Sequence, residues 1–587
     1  VSESPPRVGE PADGDVPAAG VAPTAADLIA RADLPGARRA IADVAIRTPT
    51  IPSDELSELA GMRVMLKAEC LQRSGSFKLR GALSKVAALG QAAAGGLVTA
   101  SAGNHARALA QAARVRDLAC DVYMPRDAAV SKVAAIERLG ARVHLQGDSV
   151  EEALSLAQRH AQRTGAAFVH PFDDLDVIAG QGTLGMELLE DVPDLARVVV
   201  PVGGGGLASG VGIALRRASA EVELVGVQAR VCALYARELH GEDSSGAGEP
   251  SPGATIADGI AIKRPGALTL ALLRELLAHV RTVAEDEIAD AMVFLAERAK
   301  LVAEGAGAVA VAALAGGGLE PVDGTTVAIV SGGNVDGGLL AGLLRRRETE
   351  EGRRVRVFTR VPDRPGGLAE LLNLVARARA NLVTIEHVRD AVALGVRETG
   401  VELTLETRGR EHTEHVLAAL RAALASAAPQ ANLDDHRIWA ERIGTMADAV
   451  VILAAALFAL MILAMGTAIG FATRGAMAGN REIVEVLHLV GASDRFIARE
   501  FQTHFRRLGL RGSMIGGLAA MAFFAAASFL SFLWAHSPGG DEIAAMFGSF
   551  ALGPYGYVAL ALVCAAVTLL TGLLSREIAL RHLRTLT

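Results

Sequence analysis

Residues 26–42 repeat apolar positions at helical spacing, residues 48–52 read as an extended arm, and residues 62–69 alternate enough to form a strand. Helical spacing returns over 77–89. From Leu97 the order becomes strand, glycine-containing turn, helix, repeated: LVTAS runs into AGNHARALAQAARV, CDVYMP into SKVAAIERLG, and ARVHLQG into SVEEALSLAQRH. That alternation predicts a parallel α/β unit. A helix over 179–189 and strands over 197–202, 223–227 and 325–331 predict a second, larger body. Residues 242–253, rich in Ser, Gly and Glu, predict a mobile loop.

The pattern shifts again at Arg353. VRVFTRV predicts a strand, DRPGG a turn and LAELLNLVARARA a helix; two strands and a second helix follow, HTEHVLAALRAAL being the last. The order is β-α-β-β-α. The next stretch, ASAAPQANLD, has no apolar alternation, so a fourth strand there is weak or missing. After Asp434 the chain changes class. Residues 449–473, 512–535 and 543–575, the last chiefly over 554–575, are almost free of charge and long enough to cross a bilayer. Uncharged runs of that length are rare in soluble cores. Between the first two lies 474–511, amphipathic and Arg-rich. At the other end, residues 1–24 are rich in Pro, Gly, Ala and acid and predict a disordered leader, without the positive start and apolar core of a signal peptide.

A length of 587 residues suggests about four domains. Hydrophobic residues make up 51%, an excess concentrated after Ala447. Net charge is −7 and aromatics are 4%, with no long basic run, which argues against nucleic acid as a partner. Cys70, Cys120, Cys232 and Cys564 are far apart in the chain and form no CxxC, which argues against structural disulfides and a zinc site and fits a reducing compartment.

The candidate chemistry centres on SGSFKLRG, residues 74–81. Lys78 stands at a predicted helix start among small and hydroxyl residues. A lysine so placed becomes a nucleophile once its ammonium is partly desolvated, which is what a Schiff-base lysine requires. Two later stretches strengthen this. VGGGGL at 202–207 follows the apolar run Val198–Val200, and IVSGGN at 329–334 follows another. A strand, then residues without side chains, then a helix is how backbone N–H groups are aimed at a phosphate.

These stretches, with SAGNHA at 101–106, resemble the threonine/serine dehydratases, pyridoxal-phosphate enzymes of the tryptophan-synthase-β type, over about 27–344. The resemblance implies an α/β fold: a two-domain catalytic body of PLP fold type II at 25–346, with a small mobile domain at about 97–175 inserted in the larger one. It implies that Lys78 anchors the cofactor as an imine and, once freed, takes the substrate Cα proton. Phe77 would pack against the cofactor and Asn104 would hydrogen-bond its ring oxygen. Gly203, Gly204, Gly205 and Gly206, with Leu207, would hold its phosphate. Ser101, Ala102, Gly103 and Asn104 would receive the substrate carboxylate, while His105 would be structural. Ser331 would contact the pyridine nitrogen; a hydroxyl cannot keep it protonated as a carboxylate would, which favours β-elimination over transamination. The phosphate would then protonate the leaving hydroxyl, because no spare acid shows in these motifs; Glu304 would be a more distant contact. Alanine at 102, where the family's serine racemases carry serine, favours elimination over racemisation. Gln228 stands where metal-binding members have a glutamate, so no metal is expected. The activity implied is threonine ammonia-lyase, with serine dehydratase or racemase as the alternative and a homo-oligomer as the assembly.

Residues 353–428 resemble an ACT domain, the amino-acid-sensing α+β module often appended to such enzymes, and imply an amino-acid effector. Residues 432–587 resemble the C-terminal half of FtsX-type cell-division permeases, on REIVEVLHLVGAS at 481–493 and LDDHRIWAERIGTMA before the first span. This implies a three-helix transmembrane segment in the inner or plasma membrane and an FtsE-like ATPase partner. The loop at 474–511 and the tail, with Arg576, Arg581 and Arg584, are basic, which puts both in the cytoplasm. Three spans would then leave the enzyme outside, yet it is expected to be cytoplasmic. The chain therefore reads as a chimera, from fusion, rearrangement or assembly error, and an FtsX-like membrane subunit carrying a passenger enzyme is the rival reading.

Overall fold

A computed structural model describes residues 23–218, 221–240, 255–388, 398–427, 434–535 and 554–584. The expected leader at 1–24, apart from its last two residues, and the whole of the expected loop at 242–253 lie outside the described residues.

The catalytic body contains two sheets. The larger runs in the order β1 (Thr50–Pro52), β2 (Val64–Ala68), β10 (Thr325–Val330), β7 (Leu195–Pro201), β8 (Glu223–Ala229), β9 (His279–Val283). It is parallel except where β1 meets β2. Strand β10 is wholly buried and β7 and β8 nearly so, which is why they read as unbroken apolar runs. The second sheet, in the order β5 (Arg142–Leu145), β4 (Cys120–Met124), β3 (Leu97–Ala100), β6 (Ala167–Phe168), is entirely parallel and lies in the chain between β2 and β7. Helices cover both faces of each sheet. The helix expected over 26–42 is instead two, Ala25–Arg31 and Leu34–Ile41, because Asp33 caps the second and Pro35 starts it.

The helix carrying Lys78, Lys78–Leu89, crosses the helix Leu175–Asp191 at two glycines. A Cβ on Gly81 would stand 2.3 Å from Gln181 Nε2, and one on Gly180 would stand 2.6 Å from the Arg80 carbonyl. Arg80 itself is fully buried at this crossing. Its guanidinium donates to both oxygens of Glu69, at 2.9 and 2.8 Å, and to both of Glu187, at 2.7 and 3.0 Å. Thr183 Oγ1 accepts a further bond at 3.2 Å. Lys67, also fully buried, bonds Glu187 at 2.8 Å, Asp191 at 3.2 Å and the Thr48 carbonyl at 2.8 Å. Burial alone would raise the Glu69 carboxyl, but the Arg80 charge and hydrogen bonds override it and hold it below the usual range.

Residues 354–427 follow the order β11 (Arg354–Pro362), helix Gly367–Arg377, β12 (Asn381–Val388), β13 (Glu398–Glu406), helix Arg410–Ala427. The sheet order is β12-β13-β11-β14, where β14 is only Asp434–Asp435, paired antiparallel with Val357 and Phe358. This two-residue strand begins at the last residue of the stretch that lacked alternation, 425–434, of which 428–433 lie outside the described residues.

The C-terminal helices are His436–Gly479, Arg481–Leu489, Asp494–Ala535 and Pro554–Leu583. Three apolar stretches, Ala449–Gly479, Asp494–Phe529 and Gly556–Leu583, are long and apolar enough to cross a membrane. The connection expected at 474–511 is itself helical almost throughout. The last two long helices touch through small residues: Gly509 lies against Thr571, and Ser513 Oγ and Thr568 Oγ1 are 2.9 Å apart.

Replacing Arg80 with alanine leaves buried Glu69 without its direct counter-charge and Glu187 with Lys67 alone. Arg80→Ala is expected to lower the opening free energy of the Leu175–Asp191 helix by about 3–5 kcal/mol, read by hydrogen-exchange mass spectrometry on its peptides.

Candidate active site

The lysine loop and the SGGN loop are bound backbone to backbone. Phe77 N–H donates to the Ser331 carbonyl at 3.0 Å, and Gly333 N–H donates to the Gly75 carbonyl at 2.9 Å. Ser76 pairs with Gly332 as an isolated antiparallel bridge. Lys78 is thus fixed at the first position of its helix, with Phe77 as its cap and the Phe77 ring 5.1 Å from Nζ. Its Nζ donates to the Pro171 carbonyl at 2.9 Å. Desolvation lowers the Lys78 amine to about 8, against a smaller opposing pull from Glu304.

Glu304 caps the helix Gly305–Ala315 and is 7% exposed. Burial raises its carboxyl to about 7, although the hydrogen bond from Asn104 opposes this. A Cβ on Gly332 would stand 2.3 Å from Glu304 Oε1, so the second glycine of SGGN makes room for this acid. The site therefore does contain a spare acid. It lies among small apolar residues, in AEGAGA, where the order of residues suggests only a distant role.

Asn104, at the start of the helix Asn104–Val115, donates from Nδ2 to Glu304 at 2.5 Å, and its Oδ1 accepts from Asn334 Nδ2 at 2.7 Å. Ser101 lies on the turn before, its Oγ accepting the Gly103 N–H at 3.2 Å, with Ala102 partly buried between them. His105 is buried against the Val169 carbonyl at 3.2 Å, and desolvation lowers it to about 3, so it stays a neutral packing residue. Ser331 is buried, its nearest partner the Ala306 carbonyl at 3.4 Å. Gln228 is used up internally, donating to the Val202 carbonyl at 3.1 Å and accepting from the N–H groups of Tyr235 and Ala236.

Gly203 to Leu207 close the cleft at the start of the helix Gly206–Arg217. None of their N–H groups donates to a described residue. A Cβ on Gly204 would stand 2.2 Å from the Phe172 ring and one on Gly203 2.8 Å from the Ile260 Cα, while Gly205 has φ +86°. Protein atoms occupy the space on the side-chain side, and the unpaired N–H groups form the cradle a phosphate fits. Pro171 thus meets the amine and Phe172 the glycine loop, one after the other on a single segment. No motif pointed to this segment, because its part is played by a carbonyl and a ring face.

A desolvated amine, a buried acid, an orienting amide and a cradle of free N–H groups fit a cofactor with an aldehyde at one end and a phosphate at the other. Known proteins agree. The family described as pyridoxal-phosphate dependent enzyme matches residues 41–332, and the ACT domain matches 355–425. L-threonine ammonia-lyase of Thermotoga maritima is 44% identical over 400 residues, covering 67% of this chain and 98% of that one. L-threonine ammonia-lyase of Geobacter sulfurreducens is 41% identical over 377 residues, 64% of this chain and 93% of that one. Among solved structures, a T.th. threonine deaminase is 38% identical, with a TM-score of 0.48 over 52% of this chain and 98% of that one. The chain belongs to the pyridoxal-phosphate-dependent L-threonine ammonia-lyase family.

An amine lowered to about 8 is neutral in about one molecule in ten at pH 7, against fewer than about one in a thousand for an ordinary lysine. Reductive methylation of Lys78 in the cofactor-free protein is expected to accelerate with pH only up to about 8, then level off. Glu304→Gln removes the opposing pull and moves that midpoint lower; peptide mass spectrometry across pH reads both.

Proposed function

We propose that the chain deaminates L-threonine to 2-oxobutanoate and ammonia, with serine as a poorer substrate. The observation that carries this is the desolvated Lys78 amine, bonded to the Pro171 carbonyl from a loop tied to SGGN, in a member of this family. Bound pyridoxal phosphate supplies the electron sink that lets the Cα–H and Cβ–O bonds break. Lys78 would anchor the cofactor and, as a free neutral amine, would accept the Cα proton. The N–H groups of Gly203 to Leu207 hold the phosphate. Ser101 and the backbone to Asn104 receive the substrate carboxylate, and the Asn104 amide orients the ring. Ser331 would meet the ring nitrogen with a hydroxyl, which does not hold it protonated as a carboxylate would, and Phe77 would pack beside the ring. With alanine at 102, no side-chain acid or base stands there to return a proton to the opposite face, which supports elimination over racemisation. Lys78→Ala is expected to abolish both the visible band of the bound cofactor and 2-oxobutanoate formation from threonine. A variant without the band that still turned over threonine would overturn the assignment.

We further propose that the ACT domain binds an amino-acid effector and that the three apolar helices anchor the chain in a membrane. The helix Arg481–Leu489 supports an FtsX-like coupling role for the segment, because Ile483, Val486, Leu489 and Val490 are all exposed on it and its end. The full-length protein is expected in the membrane fraction, released by detergent but not by alkaline carbonate. Co-purification with a partner ATPase, lost on Leu489→Glu, would support the coupling role; equal recovery with Leu489→Glu would sink it.

A further inference from the structure

We propose that Asn334, itself held by Arg107, sets the orientation of the Asn104 amide, so that Asn104 turns its N–H groups and not its oxygen toward Glu304, the acid whose charge Lys78 also feels. This rests on the cofactor assignment above and extends it to two residues to which that assignment gives no role.

The argument is one of donors and acceptors. Arg107 Nη1 lies 2.7 Å from the Asn334 side chain. A guanidinium can only donate, so the atom facing it is the amide oxygen. The Asn334 nitrogen then faces two groups, the Ser74 carbonyl at 3.0 Å and Asn104 at 2.7 Å. The Ser74 carbonyl can only accept, so it independently demands the same orientation. Asn104 must meet the Asn334 nitrogen with its oxygen, and its own nitrogen is left pointing to Glu304 at 2.5 Å. The polarity runs one way, from Arg107 through Asn334 and Asn104 to Glu304, across four side chains from three separate segments. An isolated asparagine could take either orientation; this one is determined from its far end.

The direction matters because of what the cofactor carries. Its phenolic oxygen is adjacent to the carbon that joins Lys78, and an N–H donor stabilises the ionised form of that oxygen. A carbonyl in the same place would favour the protonated form. Arg107 lies one helical turn beyond Asn104 and is half-buried, so it braces the chain without entering the cleft. Arg107 and Asn334 are positioning residues.

Asn334→Asp keeps the shape and the Arg107 partner but can donate to neither Ser74 nor Asn104, so the Asn104 amide turns over. The full-length holoprotein carrying it is expected to show the cofactor band displaced to shorter wavelength, an altered pH midpoint of that band, and a kcat lowered about tenfold, the size of one lost hydrogen bond to a charged group. Arg107→Met leaves only Ser74 holding Asn334 and should move the same spectrum in the same direction by less. Arg107→Lys, which can still donate, should restore it. A merely structural role for the two residues would lower thermal stability without moving the spectrum. An unchanged band and pH midpoint in Asn334→Asp and Arg107→Met overturns the proposal while leaving the cofactor assignment standing; a wild-type protein with no band that Lys78→Ala removes overturns both.

Discussion

A lysine can be kept away from water only if its backbone cannot turn it outward. In this chain that constraint is met two residues downstream, by Arg80. The guanidinium joins two buried carboxylates, one just after strand β2 and one on the Leu175–Asp191 helix, and its own backbone belongs to the first turn of the lysine helix. Its desolvation is offset by two bidentate pairs and a threonine hydroxyl, which fix direction as well as distance. Such a network need add little to global stability, because burying the charges consumes most of what their attraction returns. It specifies a single register between helix, strand and helix, and so a single place for the amine.

The glycine-rich loops and the reactive lysine were legible because their requirements are local. A strand followed by residues that tolerate close approach leaves a mark in the order of letters. Gly81, Gly332 and Gly204 meet neighbours so near that any Cβ would collide, and each lies inside a stretch that the motifs mark out. The roles of Glu304, Pro171 and Phe172 were not legible, for a different reason. Each acts through burial or through a backbone atom, and neither property is written in residue type. Glu304 reads as one acid in an alanine-glycine helix until folding removes its water. The break in the helix at Ala32–Asp33 was readable from Asp33 and Pro35, but the apolar spacing continues across it and masks the cap. Strand β9 has too little alternation to stand out, and it forms because β8 offers it an unpaired edge.

The C-terminal segment obeys another solvent. None of the apolar window in Ala449–Gly479 is buried in the protein, and its surface carries Val450, Val451, Ile452, Leu453 and Met461 more than half exposed. A surface of that kind is stable when lipid covers it. The Thr568–Ser513 and Thr571–Gly509 contacts then have the expected form of helix pairing in a bilayer, where small residues admit close backbones and hydroxyls bond across the seam. Were the three apolar stretches of the described residues all to cross a bilayer, the two ends of this segment would lie on opposite sides. Arginine in 474–511 and in the tail favours the cytoplasm for both, and the enzyme, preceding the first span, is then on the other side. The charge bias and the location expected of a pyridoxal enzyme oppose each other in one chain, which is the physical content of reading it as a chimera.

Within the catalytic body the same dryness moves two groups in opposite directions. Desolvation penalises whichever form is charged, so it lowers the Lys78 amine to about 8 and raises the Glu304 carboxyl to about 7. Groups that in water would titrate about six pH units apart are brought to within about one. Near neutrality, a proton then has little preference between them. Their mutual attraction works against this narrowing. An amine without the acid would titrate lower still, and the acid without the amine higher, because each charge supports the other across the Asn104 amide. The charge states of Lys78 and Glu304 are therefore set by the burial around them more than by residue type.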